Sequence, residues 1–252
     1  MIIRAEPTAR QLDSPLGRLS PLMKLAIAVA WLIGLATTTS VGPPLVVATA
    51  CFTVGLTIGR VPIKRLATGA APLLAAALSV GLFNTIFAAA NVDPVATEIG
   101  RVGPLRLTGE GLAAGLGLAS RILAVGVVSV VFVQTTDSTR LVDSLVQLGN
   151  VPARFGYGAL AAYQAIPRFA DDLTTLRQAR RIRGLGGSWH PRLLVSLLIL
   201  AVRHGDRLAL AMDARAFGTR PRTWYRVESW TLVDGAAAVC GWIVLAAALA
   251  LD

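Results

Sequence analysis

Along this chain the apolar positions first come in long blocks and then, past residue 135, as single positions three and four apart. Five blocks, at residues 22–39, 44–59, 70–90, 109–133 and 232–251, approach the roughly 20 mainly apolar residues a helix needs to cross a hydrocarbon core. Backbone amides cannot go unpaired in lipid, so a spanning segment is either a helix or a strand of a closed barrel. These blocks do not alternate with a period of two, as barrel strands do. The pattern therefore predicts five transmembrane helices. The block at 44–59 is the shortest, and Gly42, Pro43 and Pro44 mark a tight turn before it.

Residues 135–228 follow a different rhythm. Asp137 and Ser138 are placed to cap a short helix running to about Leu148, with Leu141, Leu145 and Leu148 on one face. Gly149 and Asn150 end it, and Pro152 suits the first turn of the next helix. There, Phe155, Ala159, Ala162, Ile166, Phe169, Leu173 and Leu176 recur in steps of four and three, which makes one narrow apolar seam. The same rhythm continues onto Arg180 and Arg183, just before Gly184, Gly186 and Gly187, and Pro167 inside the helix predicts a kink. A third helix starts near Pro191, with Leu194, Leu197, Ala201, His204, Leu208 and Ala211 as its seam. Its next position is Arg215, and Gly218 and Pro221 stop it. Cations at a helix C-terminus interact well with its dipole, so capping is the plainer reading of either arginine alone. Two in matching positions favour a paired docking surface. The whole reads as an all-α polytopic membrane protein. Residues 1–134 form an N-terminal segment with four spans, 135–228 a cytoplasmic insert of amphipathic coupling helices, and 229–252 the last span.

Composition supports the membrane class: 54% of the 252 residues are hydrophobic, 15% are charged and the mean hydropathy is +0.64. The net charge of +10 is unevenly placed. Arg4, Arg10 and Arg18 precede the first span and Lys24 lies at its start, and Arg60, Lys64 and Arg65 lie between the second and third. Residues 135–228 hold fourteen arginines against seven acids, residues 37–44 hold no charge, and 91–108 balance Asp93 and Glu98 against Arg101 and Arg106. Positive flanks stay cytoplasmic. The N-terminus and 135–228 are thus expected in the cytoplasm and the C-terminus outside, in a multi-pass protein of the cell membrane. Without an aromatic-interleaved basic platform, the charge does not point to nucleic acid.

Little points to chemistry. Cys51 and Cys240 each sit in an apolar block without ligand spacing, and read as small buried hydrophobes. His190 and His204 form no metal motif, so neither a metal nor a cofactor is expected. The acidic pair Asp171-Asp172 lacks the second acidic cluster an intramembrane transferase needs, and no phosphate-binding Gly-x-x-x-x-Gly-Lys-Ser/Thr stretch exists. The chain is not expected to be an enzyme. A cleavable signal is not expected either, since 22–39 is too long for a signal core. In the fourth span, Gly111, Gly115 and Ala119 form a small-residue face and Arg121 an isolated charge. Asn84 in the third span is expected to hydrogen-bond between helices.

Several short motifs, in their order and spacing, resemble one family. They are Ser20-Pro21-Leu22-Met23-Lys24-Leu25, against an acid-Pro-x-x-Lys-Leu signature, then Leu148-Gly149 with Pro152, and Ile182-Arg183-Gly184 preceded by Arg177-Gln178-Ala179. Ala214-Arg215-Ala216 follows, within Ala211-Met212-Asp213 and Phe217-Gly218, and then Arg222-Thr223. Over nearly its whole length the chain resembles the transmembrane T components (EcfT/CbiQ type) of energy-coupling factor transporters. The two three-residue motifs match that family's Ala-Arg-Gly pair, each departing at one flanking residue. The resemblance implies that Arg183 with Gly184, and Ala214 with Arg215, dock into acidic grooves on two ABC-type ATPase subunits, with Arg180 and Arg181 as neighbouring candidates for the first motif. It also implies that the membrane part holds a substrate-binding S component, with Gly111, Gly115 and Arg121 serving helix packing or contact to it. ATP would be hydrolysed in trans to import a vitamin or a transition-metal ion, the S component choosing which. A stand-alone secondary transporter or a membrane scaffold is the alternative, although five spans with one insert show no internal repeat. Charge reversal at Arg140 or Arg192 is expected to matter far less than at Arg183 or Arg215.

Overall fold

A computed structural model of the chain describes residues 14–92, 97–102, 105–185, 190–219 and 223–251. The helices, in chain order, are α1 (Pro15–Arg18), α2 (Pro21–Thr37), α3 (Gly42–Thr57), α4 (Ile63–Ile86), α5 (Gly109–Thr135), α6 (Ser138–Gln147), α7 (Ala153–Ile182), α8 (Pro191–Ala214) and α9 (Leu232–Leu249). Between α4 and α5 lie a 3-10 turn (Ala89–Val92) and the strands β1 (Glu98–Val102) and β2 (Leu105–Thr108). Residues 142–228 form one compact unit, and residues 14–141 with 229–251 another.

The larger unit holds the apolar helices. Lengths and composition suit α4, α5 and α9 to crossing a membrane, while α2 and α3 are shorter, at 17 and 16 residues, or about 25 Å at 1.5 Å per residue. Gly42, Pro43 and Pro44 lie inside the first turn of α3 rather than before it, where proline has no hydrogen bond to lose. α4 begins at Ile63 rather than residue 70, taking Lys64 and Arg65 onto its first turn. Small residues let these helices approach. A Cβ added to Gly81 of α4 would lie 2.7 Å from Ala119 Cβ of α5, and one added to Gly55 of α3 would lie 2.9 Å from Val131 Cγ2. Between α2 and α9, the Trp31 indole N–H donates to Gly241 O at 2.9 Å, and Gly34 faces Leu245. Leu35, Val47, Leu66, Ala124, Val128, Leu245 and Ala248 fill the shared core. Cys51 is buried with them, whereas Cys240 is exposed on α9, contrary to expectation.

The β-hairpin was not anticipated from the charge-balanced stretch at 91–108. β1 and β2 pair antiparallel with Arg101 opposite Arg106. That like-charge pair is tolerable because Glu98 bridges it, 2.6 Å from Arg101 Nε and 3.2 Å from Arg106 Nε. The Arg101 hydrogen bond, with the charge of both arginines, holds the Glu98 carboxyl below its ordinary range. Asn91 fastens the hairpin to both neighbouring helices. Its amide donates to Thr85 O and Ile86 O, and its Oδ1 accepts from Thr108 N and Oγ1. Thr108 in turn caps α5 by accepting from Gly111 N. Asn84, expected in that bridging role, makes no hydrogen bond among the described residues.

In the smaller unit, α7 runs unbroken across Pro167 and packs on α8. The seam differs from the expected one at its start. Ala161, Ala165, Phe169, Leu173 and Leu176 face inward, while Phe155 and Ile166 are 75% and 49% exposed. On α8 Leu193 is buried and Leu194 exposed.

Candidate functional site

The sequence places its docking candidates at two helix ends, and the local backbone is the same at both. α7 ends with Leu185 N donating to Arg180 O and Gly184 N donating to Arg181 O. α8 ends with Phe217 N donating to Met212 O and Ala216 N donating to Asp213 O. These paired bonds are those of a Schellman motif, in which the residue after the cap turns left-handed. That residue is Gly184 (φ 68°) at one end and Ala216 (φ 52°) at the other. The cap residues themselves are Arg183 and Arg215. Each arginine is thus set where the helix stops, past the last regular turn, and both are exposed.

The geometry also sorts the neighbours. Arg181 is exposed, whereas Arg180 turns back against the unit, half-buried, with its Nε lacking a partner. Arg180 sits three residues before the cap, the position Met212 holds in α8. Gly184 and Ala214 are exposed beside their arginines. Gly186, Gly187, Pro221 and Arg222 lie outside the described residues.

Aromatic contacts fix how the two helices lie. Phe169 of α7 meets His204 of α8 edge-on at 6.2 Å, and Tyr157 meets Phe217 edge-on at 6.2 Å. The end of α8 therefore lies beside the start of α7, and the helices run in opposite senses. The start of α7 is held in turn by α6. Tyr157 OH donates to Asp143 Oδ1 at 2.8 Å, and Gly156 leaves room for Val146. Gln147 closes the unit by accepting from Glu228 N and donating to Arg226 O. With the Arg215 tip near Tyr157 and the Arg183 tip at the far end of α7, the two lie roughly 35–40 Å apart along the helix.

The membrane-helix candidates have other surroundings. A Cβ on Gly115 would collide with Thr85 Oγ1 and sit 2.6 Å from Gly81 O, and one on Gly111 would sit 2.7 Å from Asn91 Oδ1. Arg121 donates from Nη2 to Thr38 O, just past the end of α2, where a cation complements the helix dipole. Among the described residues no three His, Cys, Asp or Glu side chains are placed to hold a metal ion. Arg140, expected to matter little for docking, has a structural contact of its own: its Nη1 donates to Gly17 O at 2.7 Å. Its position on a short polar helix carried no signal of that contact.

Comparison with known proteins agrees with the motif pattern. A family model described as CbiQ, cobalt transport protein, matches residues 13–225. The energy-coupling factor transporter transmembrane protein EcfT of Heliobacterium modesticaldum is 30% identical over 241 residues, 85% of each chain. The Bacillus subtilis protein of the same name is 26% identical over 216 residues, 79% of each. A putative ABC transporter ATP-binding protein of Bifidobacterium longum is 28% identical over 200 residues, which are 71% of this chain and 25% of that one.

Proposed function

This chain belongs to the CbiQ family and is the energy-coupling transmembrane component of an energy-coupling factor transporter, and from that premise we propose that Arg183 and Arg215 are its two contacts to a pair of ABC-type ATPases. The observation that carries this reading is the identical capping geometry at two distant helix ends. Each arginine projects from a rigid Schellman turn, and a separation of roughly 35–40 Å suits two partner subunits better than one. Arginine keeps its charge and binds carboxylates bidentately, so an acidic groove on each ATPase is the complementary surface. A protein named for ATP binding that carries a segment like this chain in a quarter of its length supports placing an ATPase beside it.

In this reading ATP binding draws the ATPases together and moves the two arginine tips. The helices of 142–228 pass that displacement to the membrane helices, which reorient a substrate-binding S component. The chain itself hydrolyses nothing. In this reading residues 135–228 and the N-terminus lie on the cytoplasmic side of the cell membrane, which the arginine distribution supports. The cargo, a vitamin or a metal ion such as cobalt, is chosen by the S component.

The test is a mild-detergent pull-down of the tagged chain from its native membrane, beside the Arg183→Glu, Arg215→Glu double variant. The wild type should bring down ATPase subunits and a small hydrophobic protein, and the double variant should lose the ATPases. A wild type that captures no ATPase would put a solitary transporter in place of this reading.

A further inference from the structure

Among the described residues the chain crosses between its two units twice, at residues 141–142 and 228–229. Both crossings are fastened, on the membrane-helix side, to one short stretch at residues 17–24. At the first crossing Lys24 Nζ donates to the carbonyl of Thr135, the last residue of α5, at 2.8 Å. Arg140 donates to Gly17 O at 2.7 Å. At the second, Asp234 Oδ1 accepts from Ser20 N at 2.7 Å. Its Oδ2 accepts from Thr231 N and Oγ1, which caps α9. Ser20, Lys24, Thr135 and Asp234 are all at least nine-tenths buried.

Burying a lysine and an aspartate is costly unless each is held by partners. An apolar side chain would pack readily at position 24, because Lys24 borders an apolar cavity of about 380 Å³ shared with Leu16, Ile27, Phe132 and Val244. The cations here do something packing alone would not. They tie the end of α5 and the start of α6 to the stretch that also holds the N-terminus of α9. Ser20 and Lys24 lie one helical turn apart, with Lys24 N donating to Ser20 O, so one rigid turn reaches both crossings.

We propose that Lys24 is a positioning residue for energy coupling. With Gly17, Ser20, Arg140 and Asp234 it forms a clasp that holds the two crossings together, so that a displacement of 142–228 reaches α5 and α9 jointly. The clasp rests on the coupling function proposed above. Without it, each crossing would yield separately and the movement would be absorbed in the connecting residues.

The experiment uses the complex co-purified with its ATPases and follows amide hydrogen exchange with and without ATP and vanadate. In the wild type, nucleotide trapping should change exchange within 142–228 and also in peptides covering 132–141 and 229–236. In Lys24→Met the change within 142–228 should persist, while that at the two crossings should fall at least about fivefold, the low end of an allosteric coupling. Lys24→Arg, which keeps a charged donor, should restore it. Wild-type propagation in Lys24→Met, or no rescue by Lys24→Arg, overturns the clasp. If Lys24→Met does not assemble, Arg140→Gln takes its place under the same two criteria. A wild type with no response inside 142–228 defeats the coupling function itself and the clasp with it, an outcome distinct from loss of propagation alone.

Discussion

The two units of this chain spend their residues in opposite ways. In the membrane-helix unit, glycines at 34, 55, 69, 81, 115, 126 and 241 each stand where an added Cβ would meet a neighbour at 3.0 Å or closer. Little on those faces is left for anything outside. In residues 142–228, α7 and α8 meet along one seam, and large apolar side chains such as Phe155, Val195, Leu198 and Leu210 stay exposed. The first unit closes its helices on one another along those faces and leaves side chains such as Leu78, Leu82, Phe83 and Trp242 exposed on others. The second has a single seam and carries its cations at the tips, where a part that works against other proteins needs them.

The largest effect should come from attacking the second unit where it costs its own fold least. Arg183→Glu or Arg215→Glu should weaken ATPase binding by about 2–5 kcal/mol each, with the double variant worse than either. Loss of a favourable helix-end charge costs only about 0.3–1 kcal/mol, so the melting midpoint should barely move. Arg192→Glu, at the opposite end of α8, is the control, since Arg140 is committed to the Gly17 carbonyl. Quantitative capture of the ATPases checks this, and equal losses at Arg192 and Arg183 would sink the assignment.

The mirror experiment attacks the first unit. Gly115→Val drives a branched side chain into Thr85 and the Gly81 carbonyl, and overpacking of this kind costs about 1–3 kcal/mol or more. Folded yield in detergent and the thermal midpoint should both fall, while the protein that does fold should bind ATPases as the wild type does. If docking fell in step with stability, the two units would not be separable in the way their packing indicates.

These contrasts also explain what was legible. Long apolar blocks announce membrane helices by composition alone, and arginines on the extension of a seam announce a helix end. The phase of the seam at Ala161 and Ala165 was lost because alanines fill both faces there, at 159, 161, 162 and 165, and alanine marks neither face. The hairpin was lost because Glu98–Val102 and Leu105–Thr108 are short, carry charges and hold Gly100 mid-strand, which weakens any strand signal. The bond from Lys24 to Thr135 spans 111 positions, and no local pattern encodes a partner so far away. Arg121 was visible as an anomaly, but its target was not.

A finer contrast lies between the two tips. Both need a left-handed residue after the arginine, and only Gly184 takes that conformation without strain. For an L-residue it costs about 1–2 kcal/mol, part of which the greater unfolded freedom of glycine offsets. Gly184→Ala should therefore lower stability, and Ala216→Gly raise it, each by about 0.5–1 kcal/mol. Urea titration of the purified chain measures both. Same-signed shifts would mean that the two ends do not share the Schellman geometry.

The smallest effect is expected where the membrane-helix unit relies on exposed charge instead of close packing. The folded-state carboxyl of Glu98 titrates below its ordinary value of 4.5, first because Arg101 donates to it and then through the charges of Arg101 and Arg106. A depressed carboxylate contributes stability above its unfolded value and loses it as pH falls through the lower folded value. Wild type should thus exceed Glu98→Gln at pH 7, where the variant leaves Arg101 facing Arg106 without a counter-charge. The gap should begin to close below about pH 4.5 and vanish once Glu98 is protonated. It should also shrink in high salt, which screens exposed pairs, while the defect of Gly115→Val should not. Thermal melts of the three proteins across pH 3–7 and at two salt concentrations decide it. A Glu98→Gln defect that persisted in acid would show that packing, and not this ion pair, holds the hairpin.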